Sequence, residues 1–239
     1  TNTAITQYVW NWGDGTPNTS TGNTTASHTL TTAGDRTVTL TVTNTAEHSH
    51  STSQTYRIAG NTLDVPSEYA TVTLALAEAQ PGDTIRISAG TYAESVQSQR
   101  NGTASTRITI EGVGNVTLTK VTLRHSHHTL RNLRFVPAST AFGEAIWMQR
   151  GAHYARIEDC YIDLGGKKDV AGIEWQGPST QPFGTDAASD CVVTGCTVEN
   201  GFNEACISLY GDRNVVEGCT LREGVRIDFF RLWGRNNTL

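Results

Sequence analysis

Three stretches of this chain repeat one phrase: Ala155-Arg-Ile-Glu-Asp-Cys-Tyr-Ile162, Cys191-Val-Val-Thr-Gly-Cys-Thr-Val198 and Asn214-Val-Val-Glu-Gly-Cys-Thr-Leu221. A weaker copy precedes them at His128–Phe135, and a fifth begins at Asn237-Thr-Leu239. Each copy alternates apolar and polar side chains in two short runs, which is the pattern of two β-strands. The copies recur at intervals of roughly 23 to 36 residues, a spacing at which supersecondary units stack into solenoids. We therefore predict that the chain beyond about residue 60 forms rungs of one parallel β-solenoid, each covering the apolar face of the next.

Composition narrows the class of protein. The 239 residues suffice for one large domain or two small ones, and 17% charged with 37% hydrophobic residues is typical of a soluble β-rich chain. A net charge of −5 provides no basic stripe for phosphates, so we expect no nucleic-acid partner. No apolar run approaches the ~18 to 20 residues that cross a bilayer, so we expect no membrane span in this segment.

Residues 1–59 are predicted to be a separate antiparallel β unit. Tyr8-Val-Trp-Asn-Trp12 and Arg36–Thr43 alternate like half-buried strands, and Gly13-Asp-Gly-Thr-Pro17 is a turn cluster. Together, Trp10-Asn-Trp-Gly-Asp-Gly-Thr16, Ser27-His-Thr29 and Thr37–Asn44 resemble a PKD domain. The resemblance implies an immunoglobulin-like β-sandwich on an extracellular protein, acting as a spacer or contact module. The family has further strands before the Trp motif, so we expect the sandwich to be incomplete at its N-terminus.

Residues 60–239 are predicted to be the solenoid, with a capping helix near residues 70–79. Val72, Leu76 and Ala79 recur at helical spacing, Thr71 or Thr73 can cap the start, and Pro81-Gly82 stops the helix. This stretch and the strands after it resemble the cap and first rungs of right-handed parallel β-helix proteins of the pectate-lyase-like superfamily. That superfamily includes pectate, alginate and chondroitin lyases, phage tailspikes and surface proteins, so the resemblance implies an all-β fold without fixing a function.

Four glycines, Gly151, Gly177, Gly211 and Gly234, follow one strand in successive rungs and set a register for that strand. With Ile173, Ile207, Leu209 and Leu232 inward, alternation predicts an outward face. Its members are Met148, Arg150, Glu174, Gln176, Ser208, Tyr210, Arg231 and Trp233.

The outward face is the best candidate for function. Tyr210 and Trp233 can stack on sugar rings, and Arg150 and Gln176 can bind hydroxyl or carboxylate groups, so these four are the carbohydrate-binding candidates. The β-helix resemblance implies proton abstraction beside a uronate carboxylate that a metal or an arginine neutralises, which makes Arg231 and Glu174 the catalytic candidates. The alternative is a solvated solenoid face with scattered aromatic residues.

The remaining reactive side chains admit structural interpretations. Cys160, Cys196 and Cys219 occupy one place in successive rungs, as a ladder of small buried side chains would; a disulfide, between Cys191 and Cys206 first, is the alternative. No zinc spacing is present. His125, His127 and His128 are interpreted as solvated turn histidines rather than a metal site. We assign no metal or cofactor, and calcium is the one ion left open, through five loop aspartates: Asp159, Asp163, Asp169, Asp186 and Asp190.

Five sequons, at Asn18, Asn23, Asn101, Asn115 and Asn236, are N-glycosylation candidates and favour an extracellular or cell-surface protein.

Because the sandwich and the last rung are both cut, we expect a fragment of a longer chain, a chain traced only in part, or an assembly whose other chain covers the open end. The first functional hypothesis is an extracellular structural or binding protein of a larger assembly. Its partners would be polysaccharide or other surface proteins, and the protein itself would form a homo-oligomer or a filament. The second is a polysaccharide-active enzyme, a uronate lyase before a glycoside hydrolase, and the third a trimeric virion tailspike-like protein.

Overall fold

The computed structural model describes residues 4–30, 34–58, 60–138, 141–176, 187–202, 204–224 and 229–239. The chain divides into two compact units, Thr1–Asn61 and Thr62–Leu239.

The described residues of the N-terminal unit form one antiparallel sheet. Its strands are β1 (Ile5–Asn11), β2 (Thr19–Thr21), β3 (Gly34–Asn44) and β4 (Ser49–Ile58), in the order β2-β1-β3-β4. The turn after β1 is built by Asp14, whose Oδ1 accepts hydrogen bonds from the amide and the hydroxyl of Thr16. Asp14 Oδ2 lies 2.7 Å from Nε2 of His28, whose ring stacks on the buried Trp12. These hydrogen bonds, Thr16 first and then His28, hold the pKa of Asp14 well below its usual value.

The second unit begins with β5 (Thr62–Val65) and a single short helix, α1 (Val72–Glu78), which packs on β5 and β6. The remaining strands are β6 (Thr84–Gln97), β7 (Ile108–Leu123), β8 (His128–Arg131), β9 (Arg134–Phe135), β10 (Ala141–Met148), β11 (Arg156–Glu158), β12 (Tyr161–Asp163), β13 (Lys168–Trp175), β14 (Val192–Thr194), β15 (Thr197–Glu199), β16 (Ile207–Leu209), β17 (Val215–Glu217), β18 (Thr220–Arg222) and β19 (Phe230–Leu232). In the described part of the chain all pairings between these strands are parallel, so the unit is a parallel β-helix.

Helix α1 is held at both ends by side-chain hydrogen bonds to its backbone. Thr71 is the N-cap and accepts from the amide of Leu74 at 3.1 Å. The Glu94 carboxylate accepts from the amides of Val72 and Thr73 at 3.1 and 3.0 Å, while Arg100 donates to the carbonyl of Ala77 at 2.5 Å. A carboxylate at the N-terminus and a guanidinium at the C-terminus both oppose the helix dipole. The described residues contain no helix long and apolar enough to span a membrane.

Each rung contributes strands to three faces of the β-helix. The first face contains β8, β11, β14 and β17, the second contains β9, β12, β15 and β18, and the third contains β10, β13, β16 and β19; the long strands β6 and β7 run through all three. Along the first face one inward column joins Leu63, Ile85, Ile110, Leu130, Ile157, Val193 and Val216. On the third face a second column joins Val96, Val121, Ile146, Ile173, Ile207 and Phe230. Such columns are the core, because each buried side chain packs on its counterparts one rung above and below.

The repeated phrase contains the corner between the first and second faces. Its central residue is Asn132, Asp159, Gly195 or Gly218 in successive rungs, and each has a positive φ between 51° and 64°. Glycine, asparagine and aspartate are the residues that adopt this left-handed conformation at least cost. The next residue, Leu133, Cys160, Cys196 or Cys219, points into the corner, which explains why the phrase repeats at that position.

Candidate functional site

The third face carries a row of polar and aromatic side chains across five strands. Register pairs align Thr122, Trp147, Glu174, Ser208 and Arg231, from β7 through β10, β13 and β16 to β19. Their neighbours along each strand point into the core, since Ile173 and Ile207 have no exposed surface. Parallel pairing thus places side chains from five rungs side by side along the helix axis.

The predicted outward set is wrong in one rung. Met148 is fully buried and pairs with the equally buried Trp175, whereas Trp147 pairs with Glu174 and lies outward. Gly151 stands one residue further from its strand than Gly177 does, so aligning the two glycines shifted this rung by one position. Arg150 is half-buried and lies beyond the end of β10, outside the row.

Glu174 occupies the middle of the row. Its carboxyl group is half-buried and makes no hydrogen bond to any residue that the structure describes. Burial first, then the negative charges of Glu144 and Glu204, raise its pKa to about 7 against the opposing effect of Arg231 and Lys120. A carboxyl group with a pKa near neutral is more typical of acid–base sites than of structural ion pairs.

Two ion pairs flank Glu174 along the helix axis. On the β7 side, Nζ of Lys120 lies 2.5 Å from Oε2 of Glu144 and 4.9 Å from the ring centroid of Trp147. On the β19 side, Arg231 donates to Oε1 of Glu204. Each cation is therefore paired with a glutamate while remaining close enough to affect the pKa of Glu174.

Tyr210 and Trp233 stack on each other, with ring centroids 4.4 Å apart and planes 6° from parallel. Each ring thus uses one face on the other, so the pair does not offer two free platforms to a sugar. Burial, then the charge of Glu174, raises the pKa of Tyr210. Gln176 is half-buried, and its backbone N–H donates to the carbonyl of Met148 at 2.7 Å. The register thus places Glu174 and Arg231 in one row, with Gln176, Tyr210 and Trp233 each just beyond the end of its strand and Arg150 beyond the end of β10. Carbohydrate binding by these residues stays a prediction.

The loop aspartates do not assemble into a calcium site in the described part of the chain. No group of three or more His, Cys, Asp or Glu side chains there converges on a point that could hold a metal ion. Asp163 instead accepts from Arg134, Asn200 and the amide of Gly165, and Asp190 forms a two-point ion pair with Arg213. Asp186 lies outside the described residues.

The three histidines differ in environment. His128 is fully buried in β8, which corrects the expectation of a solvated turn residue, and its Nδ1 lies 3.1 Å from the carbonyl of His125. His127 has a positive φ of 59° and stacks on Tyr154 at 4.7 Å. His125 is half-buried, with Nδ1 3.0 Å from the hydroxyl of Ser98.

All five cysteines are free thiols. Cys160, Cys196 and Cys219 stack in one corner column, where Cys196 interacts with the thiols on either side, and the alternative disulfide between Cys191 and Cys206 is not formed. Burial raises the pKa of Cys191 to about 12 and that of Cys206 to about 11, so neither is a reactive thiolate near neutral pH.

The five sequon asparagines, Asn18, Asn23, Asn101, Asn115 and Asn236, are all exposed. Exposure is a requirement for glycosylation, and modification at these positions stays a prediction.

Sequence reasoning missed four members of the site: Lys120, Glu144, Trp147 and Glu204. The first three could have been found by extending the third-face register backward from Ile173 through Ile146 to Val121, because Trp147, Glu144 and Lys120 lie within two residues of that column. Glu204 precedes its strand and carries no periodic signal.

Comparison with known proteins found a family model that matches the first unit. Residues 1–59 match the family model of the PKD domain. No curated protein matches the chain. Among solved structures the chain is similar to the crystal structure of an alginate lyase from Paenibacillus sp. strain FPU-7, with 17% sequence identity over 70% of this chain and 77% of that chain and a TM-score of 0.42. Residues 1–59 thus match a PKD domain, and the described strands of the second unit pair as a parallel β-helix.

Proposed function

We propose that this protein is an extracellular, carbohydrate-active protein that binds a polysaccharide across the third face and cleaves it with Glu174 as the acid–base group. The observation that carries the proposal is the Glu174 carboxyl, which is half-buried in the middle of the row, has no hydrogen-bond partner among the described residues, and has a pKa of about 7. PKD domains, which are typical of extracellular proteins, support the location.

The reaction class that suits these residues best is β-elimination at a uronate. Ionised Glu174 would take the C5 proton α to the uronate carboxyl group; the C4–O glycosidic bond would break as the C4=C5 double bond forms, and the leaving oxygen would take a proton from water. Arg231, one register position beyond Ser208, would exchange part of its ion pair with Glu204 for the substrate carboxylate. Activity should then rise as the pH increases through about 7, because the base is the deprotonated form.

The test is cleavage of a panel of polysaccharides: alginate, pectate, hyaluronan and chondroitin as uronate polymers, and xylan as a neutral one. Elimination yields an unsaturated product that absorbs in the ultraviolet, whereas hydrolysis yields only new reducing ends. Glu174→Gln should lower the rate at least about 100-fold, the usual contribution of a general acid or base. Glu158→Gln, a half-buried glutamate on the first face, is the matched control and should leave the rate unchanged. Undiminished cleavage by Glu174→Gln would refute the role assigned to Glu174.

A second candidate function is binding without cleavage, in an extracellular structural protein. One observation favours it: Lys120 and Arg231 are each paired with a glutamate, so both cations of the third face already have a counter-charge without a ligand. This candidate predicts retention on an insoluble polysaccharide with no product released. Light scattering on the same sample separates a monomer from a filament or from the trimer that a tailspike-like protein would form.

A further inference from the structure

A cavity of about 170 Å³ opens beside the third face, on the β7 side of Glu174. Its lining includes Ser95 from β6, Thr119 and Lys120 from β7, Glu144 from β10, and Pro137 and Ala138 from the segment after β9. The segment after β9 is held by Lys167, whose Nζ donates to the carbonyl of Pro137. The cavity is therefore bounded by three neighbouring strands and one anchored loop.

The lining selects for an uncharged, hydroxyl-bearing ligand. The charged groups in it, Lys120 and Glu144, are 2.5 Å apart and cancel each other. Ser95 and Thr119 provide hydroxyls that can both donate and accept, while Pro137 and Ala138 provide apolar surface. A pyranose ring combines these features, since its hydroxyls lie at the rim and its C–H groups on the flat faces.

The size of the cavity limits the ligand to one ring. Pockets for drug-sized ligands have volumes of about 300 Å³ or more, and this cavity is well below that. A paired lysine and glutamate can each donate or accept one hydrogen bond to a sugar hydroxyl without losing their mutual contact. We propose that the cavity is a binding subsite for a single neutral pyranose unit.

The position of the subsite relative to Glu174 fits a sugar chain that runs along the helix axis. Lys120 is on β7 and Glu174 is on β13, which are separated by β10 alone. Two strand spacings correspond to about 9.5 Å. Trp147 lies between them, under the Lys120 ammonium and in register with Glu174. This chain direction rests on the proposed function, whereas binding of one pyranose in the cavity does not.

The experiment is saturation-transfer NMR of the whole chain with D-glucose, D-galactose, N-acetyl-D-glucosamine and D-glucuronate, each at tens of millimolar. We expect at least one neutral sugar to bind the native protein. Ser95→Phe, which places a ring in the cavity, should abolish binding, and Thr119→Val, which removes one hydroxyl, should weaken it about five- to tenfold. Thr91→Phe, an exposed position on the same strand and outside the cavity lining, is the control and should bind like the native protein.

Each outcome bears on the proposal separately from catalysis. Glu174→Gln should retain binding of the neutral sugar even though it loses cleavage, so failure of the proposed reaction leaves the subsite standing. Binding of glucuronate alone, binding of no sugar, or undiminished binding by both Ser95→Phe and Thr119→Val would overturn the subsite. A thermal melt of each variant establishes that it is folded before its binding is compared.

Discussion

Protonation of His128 should be the main acid-sensitive event in the β-helix. The imidazole is fully buried, its Nε2 has no hydrogen-bond partner, and desolvation lowers its pKa from 6.5 to about 4. Because the folded pKa lies below the unfolded one, the unfolded state takes up the proton first as the pH falls. Stability is therefore complete above about pH 6.5 and is lost progressively down to about pH 4. The pKa of His128 is about 2.5 lower in the folded than in the unfolded state, which corresponds to about 3 kcal/mol of the free energy of unfolding.

The assay is urea denaturation followed by the fluorescence of the tryptophans, Trp175 among them. It is repeated at several pH values between about 7.5 and about 4, a range that spans the unfolded and folded pKa values of His128. His128→Leu removes the titrating group, so its free energy of unfolding should fall over this range by about 3 kcal/mol less than that of the native chain. His50→Leu, at an exposed position, should follow the native curve. Parallel pH curves for the native chain and His128→Leu would refute the assignment of acid sensitivity to His128.

Two further predictions concern stability and are measured by the same denaturation. Gly211→Ala should destabilise the β-helix by about 2 kcal/mol more than Gly218→Ala. The new Cβ at position 211 would lie 2.4 Å from the backbone carbonyl of Ala188, whereas at Gly218 the nearest atom is 3.9 Å away. Equal losses of unfolding free energy would show that the positive φ of both glycines, not crowding, determines the destabilisation. Glu94→Gln should lose about 1 kcal/mol, because the carboxylate that binds the first amides of α1 is removed, and Glu78→Gln at the opposite end of the same helix should lose nothing; a matching loss at Glu78 would contradict the dipole explanation.

The repeated phrase made the fold predictable because each copy carries the same three constraints. In the copy at Ala155–Ile162, Ile157 and Ile162 supply inward side chains for two faces, and Asp159 supplies the left-handed corner. These requirements are local, so they are visible in any one copy and reinforced by the others. The register of β13, β16 and β19 was predicted from a different signal, the glycines Gly177, Gly211 and Gly234 that follow this strand in successive rungs.

The candidate site was predictable only in part, because its contacts cross rungs. Lys120 and Glu144 are 24 positions apart, and Glu204 and Arg231 are 27 apart, in segments outside the repeated phrase. Alternation shows which side chains point outward but not which of them meet. The stacking of Tyr210 on Trp233 follows from their common register position, yet its consequence, the loss of one free face on each ring, depends on ring orientation and required the structure.

The direction of the hydrogen bonds in the β-helix has a mechanical consequence. The strands of each face pair with strands of the next rung, so the backbone bonds between rungs point along the axis of the coil. Tension along that axis would load the bonds of one rung-to-rung interface together and the successive interfaces in series, and extension would proceed by detaching rungs one after another. Sideways bending would instead compress the stacked columns of Ile157, Val193 and Val216 against each other, where close-packed side chains yield little. The β-helix is thus expected to resist bending strongly and to resist tension along its axis comparatively weakly.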